Sequence, residues 1–155
     1  MSVKAYRNGF RFVRYAPRDG YSNYFLLPNE VFSLGLTAGE IALYAYLVRC
    51  EDRETYKCHP SYKTIGKALQ ISTGTVAKYV RTLERKGLIR TKQTVITKRD
   101  GKKQNGTLEY NIRPIQEAVD RYNEWQLQNA EERQRQKQLD DLLKQRGILP
   151  PENAG

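Results

Sequence analysis

Cys50, Cys58 and His59 are the residues whose side chains could hold a metal or act as nucleophile and base. Zinc normally takes four ligands at paired short spacings, and two cysteines with one histidine cannot supply them. His59 has no carboxylate or nucleophile partner at motif spacing. We therefore expect no metal, no cofactor and no enzymatic activity. Two reduced thiols fit a reducing, cytoplasmic compartment. No apolar run approaches the length of a membrane span, and the segment from Met1 to Asn8 lacks the apolar stretch of a secretory signal.

The chemistry this chain is equipped for is cationic. It carries 27 Lys plus Arg against 17 Asp plus Glu, a net charge of +10 over 155 residues. Residues 70–113 hold 11 of the bases and only 3 of the acids, so most of the excess sits in one stretch. A polyanionic partner explains such clustering better than a solvated surface does. Two groups stand out within it. Gly74, Lys78, Arg81 and Arg85 recur at helical spacing, opposite a stripe of Val76, Val80 and Leu83. Lys98, Arg99, Lys102 and Lys103 lie between two short β-prone runs, among the turn dipeptides Asp100-Gly101 and Asn105-Gly106.

The elements that must position these groups follow from the pattern. Phe10-Arg11-Phe12-Val13-Arg14-Tyr15 alternates as an extended arm or strand, and Pro17, Asp19 and Gly20 end it. Pro28-Asn29-Glu30 opens a short helical turn. Thr37-Ala38-Gly39-Glu40 is a capping box. The helix after it, through Ile41, Leu43, Tyr44, Ala45, Leu47, Val48 and Cys50, is apolar on most sides and is expected to be buried. Residues 51–60 read as a polar loop. A second helix is expected from about Ser61 to Leu69, with Ile65, Ala68 and Leu69 as its apolar positions. After the connector Gln70-Ile71-Ser72, a third helix runs to about Lys86, and Gly87 takes the left-handed place beyond it. A strand from Leu88 to Thr97, a basic loop over residues 98–106 and a return strand through Leu108, Tyr110 and Ile112 make a hairpin.

Pro114 starts a long helix to about Arg146, whose Ile115, Ala118, Val119, Tyr122 and Trp125 can pack on the body. A heptad seam through it meets Asn129, Glu132 and Gln136, so it supports no sustained coiled coil. Leu139, Leu142 and Leu143 form an isolated patch. The expected domains are an arm over residues 1–24, a body over 25–113, a helix over 114–147 and a tail over 148–155.

The run from Pro60-Ser61-Tyr62-Lys63-Thr64-Ile65 to Leu83-Glu84-Arg85-Lys86-Gly87-Leu88-Ile89 resembles a winged helix-turn-helix domain. It is similar to the GntR-type repressor pattern. It is closer to the helix-turn-helix domains of plasmid, phage and mobile-element replication initiators, where a helix beginning as Leu36 to Glu40 does precedes such a segment. The resemblance covers about residues 25–113. It implies an α+β fold, with a three-helix core, a β-hairpin wing, an N-terminal extended arm and a long C-terminal helix. It also implies duplex DNA as partner, in replication initiation or transcription control. By position, Thr73, Gly74, Ala77 and Lys78 match base-facing residues of the recognition helix. Lys63, Ser72, Thr75 and Arg81 match phosphate-facing ones, and Arg85 extends that basic face. Lys98, Arg99, Lys102, Lys103 and Asn105 belong to the wing, which touches the backbone or minor groove. GntR-type repressors often carry arginine where this chain has Thr73 and Ala77, and Ala77 could instead meet a thymine methyl. Tyr79, close to the apolar stripe, is expected to pack.

Two other classes stand beside this reading. One is a protein-interaction or accessory module that docks a replication or transcription partner through the winged helix and the C-terminal helix with its leucine patch; a homodimer is the form expected of a repressor. The other is a single-stranded nucleic-acid binder using Phe10, Phe12 and Tyr15 interleaved with Arg7, Arg11 and Arg14.

Overall fold

Thr37 sets where the first long helix begins. Its hydroxyl accepts from the Glu40 amide (3.4 Å) and its amide donates to the Glu40 carboxylate (2.8 Å), closing the predicted capping box. The computed structural model describes residues 24–148, so the arm over residues 10–15 and the tail beyond Ile148 lie outside the described residues. Helix α1 is Ala38–Cys50 and buries Leu43, Tyr44 and Leu47. Cys50, expected inside, is exposed at the C-terminal end of α1, where Arg49 beside it is exposed too. We expect Thr37→Ala to cost about 1 kcal/mol, measured as a lower urea midpoint with an unchanged slope.

A 3-10 turn, Asn29–Ser33, precedes α1 behind Pro28 and buries Val31. The stretch read as a polar loop contains a two-residue strand, β1 (Lys57–Cys58), paired antiparallel with Asn111 and Tyr110. Two residues carry no local strand pattern; the partner strand, more than fifty positions away, creates it.

Helices α2 (Tyr62–Leu69) and α3 (Thr73–Arg85) start alike. The Ser61 hydroxyl accepts from the Thr64 amide (3.0 Å), and the Ser72 hydroxyl accepts from the Thr75 amide (3.1 Å). Between them Gln70 takes a left-handed conformation (φ +57°), and the Gln70 and Ile71 amides both donate to the Gly66 carbonyl. Ile65, Val76, Val80 and Leu83 join Leu43 and Leu47 in one core. Ala68, expected on the apolar side of α2, is exposed. Gly66 is buried in its stead, since α2 meets the start of α3 through that glycine.

Strands β2 (Ile89–Thr97) and β3 (Lys103–Ile112) form the hairpin, and the sheet order is β1-β3-β2. The return strand begins at Lys103, earlier than the turn dipeptide Asn105-Gly106 implies. The register shifts between Gln93 and Val95, which sets Val95 opposite Asn105 and leaves Gly106 against the Thr94 side chain. Lys103 and Asn105 are therefore strand residues, and the loop is residues 98–102.

Helix α4 (Ile115–Gln145) buries Ala118 and packs Ile115, Val119 and Tyr122 on the core. Trp125 is 54% exposed and leans on the Tyr122 ring, with centroids 5.8 Å apart. Beyond it the helix is mostly exposed, including Leu139 and Leu142, while Leu143 is half-buried. The architecture is the expected α+β one, with three helices, a β-hairpin and a long C-terminal helix. Among the described residues no helix is long and apolar enough to cross a membrane.

Candidate nucleic-acid interface

The periodicity of α3 divides it as predicted. Val76, Val80 and Leu83 are buried, whereas Thr73, Gly74, Lys78, Arg81 and Arg85 are exposed and Thr75 and Ala77 are half-buried. Tyr79 packs, as expected. A Cβ added at Gly39 on α1 would stand 2.5 Å from its hydroxyl, so the ring lies against that glycine. Gly74 is different, because an added Cβ would meet only the Ser72 hydroxyl, at 3.8 Å. Internal packing does not require glycine there. The Ser72 and Thr75 hydroxyls sit 2.8 Å apart at the cap, where the first amides of α3 have no partner within the helix.

The wing is tied to α3 at its base. The Glu84 carboxylate accepts from both the amide and the hydroxyl of Thr91 on β2, each at 2.9 Å. Glu84 lies on the side of α3 that carries Ala77 and Arg81, so β2 leaves the core alongside those residues. Tyr62, at the start of α2, adjoins the same place. Burial raises its phenol pKa, nearby Arg81 pulls it down and Glu84 pushes it up. Ser61 and Tyr62 line a cleft with Gln93, Gly106 and Thr107 of the wing. The start of α2, the middle of α3 and the base of the hairpin thus converge.

The far end of the hairpin is a tight turn. The Lys98 amide donates to the Lys102 carbonyl and the Gly101 amide to the Lys98 carbonyl, both at 2.9 Å, and Asp100 accepts from the Lys102 amide at 3.0 Å. Gly101 adopts φ +78°, which favours glycine. Lys98, Arg99, Lys102, Lys103 and Asn105 are all exposed, as is Lys63 on α2. Among the described residues, Lys57, His59, Arg90 and Arg113 make ion pairs, while Lys63, Lys78, Arg81, Arg85 and the four wing cations make none. Free cations therefore occupy the outer face of α3 and the wing tip.

Residues 34–89 match the family profile of a helix-turn-helix domain. The matched span contains the whole of α1, α2 and α3, and with the β2–β3 hairpin the fold is a winged helix-turn-helix. A comparison with curated proteins finds no match. Among solved structures, a "Possible transcriptional regulator" from Methanosarcina mazei is 16% identical, with 70% of this chain and 82% of that chain covered and a TM-score of 0.44. The MepR–DNA complex of Staphylococcus aureus is 18% identical, with coverage of 78% and 86% and a TM-score of 0.39.

Beside the helix-turn-helix, the cysteine and histidine side chains take structural roles. Cys58 is buried, its thiol donates weakly to the Leu47 carbonyl (3.6 Å), and burial raises its pKa to about 12, so it stays a thiol at neutral pH. His59 has a carboxylate partner that lies far outside motif spacing. Its Nε2 is 3.3 Å from Glu109, fifty positions away and brought near by the β1–β3 pairing. Lys57 reaches the same carboxylate at 3.0 Å. The Lys57 hydrogen bond, with help from His59, holds the Glu109 pKa below its ordinary 4.5. A depressed carboxylate pKa stabilises the fold above the unfolded-state value, and that contribution disappears as pH falls through the folded-state value. We therefore expect the stability difference between the native chain and Glu109→Gln to shrink as denaturation is followed from pH 6 down through about 4.

Sequence reasoning missed Gly66, Glu84 and Tyr62 as organisers of this face. A glycine inside a helical pattern was the available signal for the first. The Glu84–Thr91 clamp has no local signature.

Proposed function

We propose that this chain binds duplex DNA, with α3 entering the major groove and the wing following the adjacent backbone or minor groove. The observation that carries this is the unpaired cationic face of α3, continuous at its base with a hairpin ending in four more unpaired cations. Thr73, Gly74, Ala77 and Lys78 face base edges. Gly74 permits close backbone approach, and Ala77 offers a methyl to thymine. Lys63, Ser72, Thr75, Arg81 and Arg85 face phosphates, the two hydroxyls at a helix N-terminus whose dipole favours anions. The setting is transcription control or replication initiation on a bacterial plasmid, phage or mobile element, in the cytoplasm and without enzymatic activity. A homodimer, or a partner protein held on the outer half of α4, completes the assembly.

Selection of bound oligonucleotides from a random pool, followed by titration across salt, tests the reading. If about six phosphates are neutralised, log affinity falls with log salt at a slope near −5. A palindromic consensus identifies a symmetric dimer, and a direct repeat identifies an initiator-like array. We expect Lys78→Ala to weaken the selected site by about 1–3 kcal/mol more than random duplex. No duplex affinity at low salt would transfer the function to protein docking through α4.

A further inference from the structure

Among the described residues, two buried side-chain oxygens have no hydrogen-bond partner, the Tyr110 hydroxyl and Oε2 of Glu51. Only the second belongs to a carboxylate. Glu51 caps the C-terminal end of α1, where burial raises its pKa and Arg53 pulls it back. Arg53 itself is exposed and makes no ion pair with it. A carboxylate oxygen shut off from water, with no cation beside it, is costly to hold and favours any positive group that can reach it.

Glu51 lines two adjoining clefts of about 540 Å³ each, which share Leu26, Val48 and Tyr56 as further walls. Tyr24 and Arg53 complete one, while Tyr44, Pro114 and Ile115 add carbon to the other. Leu26 is 76% exposed and Tyr56 57%, so an open apolar surface adjoins the lone carboxylate. Tyr56 is held there in a left-handed conformation (φ +56°) that side chains rarely adopt. Its amide donates to the Asp52 carbonyl (2.7 Å), and its carbonyl accepts from the Ile112 amide (2.9 Å).

The chain reaches this surface at Tyr24, and residues 1–23 precede it with five bases against one acid. In an extended run, Phe10, Phe12 and Arg14 share one face, and Arg11, Val13 and Tyr15 share the other. The first face complements the cleft, with two rings for the carbon walls and one guanidinium for the carboxylate. Pro17, Asp19 and Gly20 are the turn residues that return such a run along residues 24–27. Residues 15–23 can span up to about 30 Å, so chain length does not limit the return.

We propose that the N-terminal arm occupies this cleft, with Phe10 and Phe12 against its carbon walls and the Arg14 guanidinium paired with Glu51. None of the cleft residues belongs to the face assigned to DNA, so docking of the arm does not depend on duplex binding.

Limited trypsin digestion of the full chain, followed by mass spectrometry, reads the exposure of the Arg11–Phe12 bond, which a docked arm shields. Glu51→Gln and Arg14→Gln should each speed cleavage there about tenfold. The double variant should be no faster than either, because both changes remove one pair. Cleavage after Lys102 and Lys103 in the wing should keep its native rate. The thermal midpoint supplies a second readout. A neutral amide in place of an unpartnered carboxylate holds or raises the midpoint, whereas loss of a pair with Arg14 lowers it. We expect Glu51→Gln to lower it, with no further drop when Arg14→Gln is added. Cleavage at Arg11 as fast as in a free peptide of residues 1–23, effects that multiply in the double variant, or an unchanged or higher midpoint for Glu51→Gln overturns the proposal. Protection of the arm that appears only when duplex or single-stranded DNA is added also overturns it, and assigns the arm to nucleic acid.

Discussion

Replacing Lys98, Arg99, Lys102 and Lys103 together by Ala is expected to lower duplex affinity on the order of a hundredfold at moderate salt and to flatten the salt slope by up to ~3.6. The size follows from counterion release, at about 0.9 per phosphate neutralised. The effect should be uniform across sequences, because a flexible amine on a phosphate reads no base. All four side chains are exposed and none is ion-paired, so the thermal midpoint should not move. Titration of native and quadruple-variant chains at four or five salt concentrations supplies the slopes. Identical slopes would remove the wing from the interface and leave α3 to bind alone.

The second large effect is structural. A Cβ at Gly66 would stand 2.7 Å from the Ile71 carbonyl oxygen, a backbone atom in the turn between α2 and α3, and 3.8 Å from a Val76 methyl. That carbonyl cannot swing away cheaply, since the Ile71 amide is bonded to the Gly66 carbonyl at 3.0 Å. Gly66→Ala is expected to destabilise the fold by about 1–3 kcal/mol, the range seen when closely packed interiors receive extra carbon. Calorimetry should show a midpoint lower by about 4 °C or more. Gly74→Ala is the matched control. Its added carbon meets only the Ser72 hydroxyl, at an ordinary contact distance of 3.8 Å, and alanine favours the helix by up to about 1 kcal/mol, so stability should hold or rise while duplex affinity falls. If both alanines destabilise equally, Gly74 serves the fold and not the groove.

Legibility tracked how local each cause was. Thr37 and Glu40, Ser72 and Thr75, and Gly87 act within four residues of themselves, and the structure has them as their patterns imply. The division of α3 into buried and exposed faces was equally readable, because a single period of 3.6 residues generates it. What escaped was made by distant partners. Strand β1 exists because Asn111 and Tyr110 pair with it, and the same pairing brings Glu109 to His59. The exposure of Ala68 reflects the choice of Gly66 as the contact between α2 and α3, which depends on the approach of a second helix. The early start of β3 depends on the register shift near Thr94, which the dipeptide Asn105-Gly106 conceals. For the interface, the cations were visible as a cluster. The clamp from Glu84 to Thr91, which aims the hairpin, was not.

That clamp has a mechanical meaning. The hairpin is held at one end by Glu84 and by the third strand, yet from Gln93 to Thr107 it is a free ribbon of two strands, and such ribbons twist more readily than wider sheets. It behaves as a cantilever, stiff where it leaves the body and compliant at the tip. In the proposed complex, a compliant charged tip would gauge how wide and how bendable the double helix is beneath it, and its selectivity would be expressed in the elasticity of flanking steps instead of in letters.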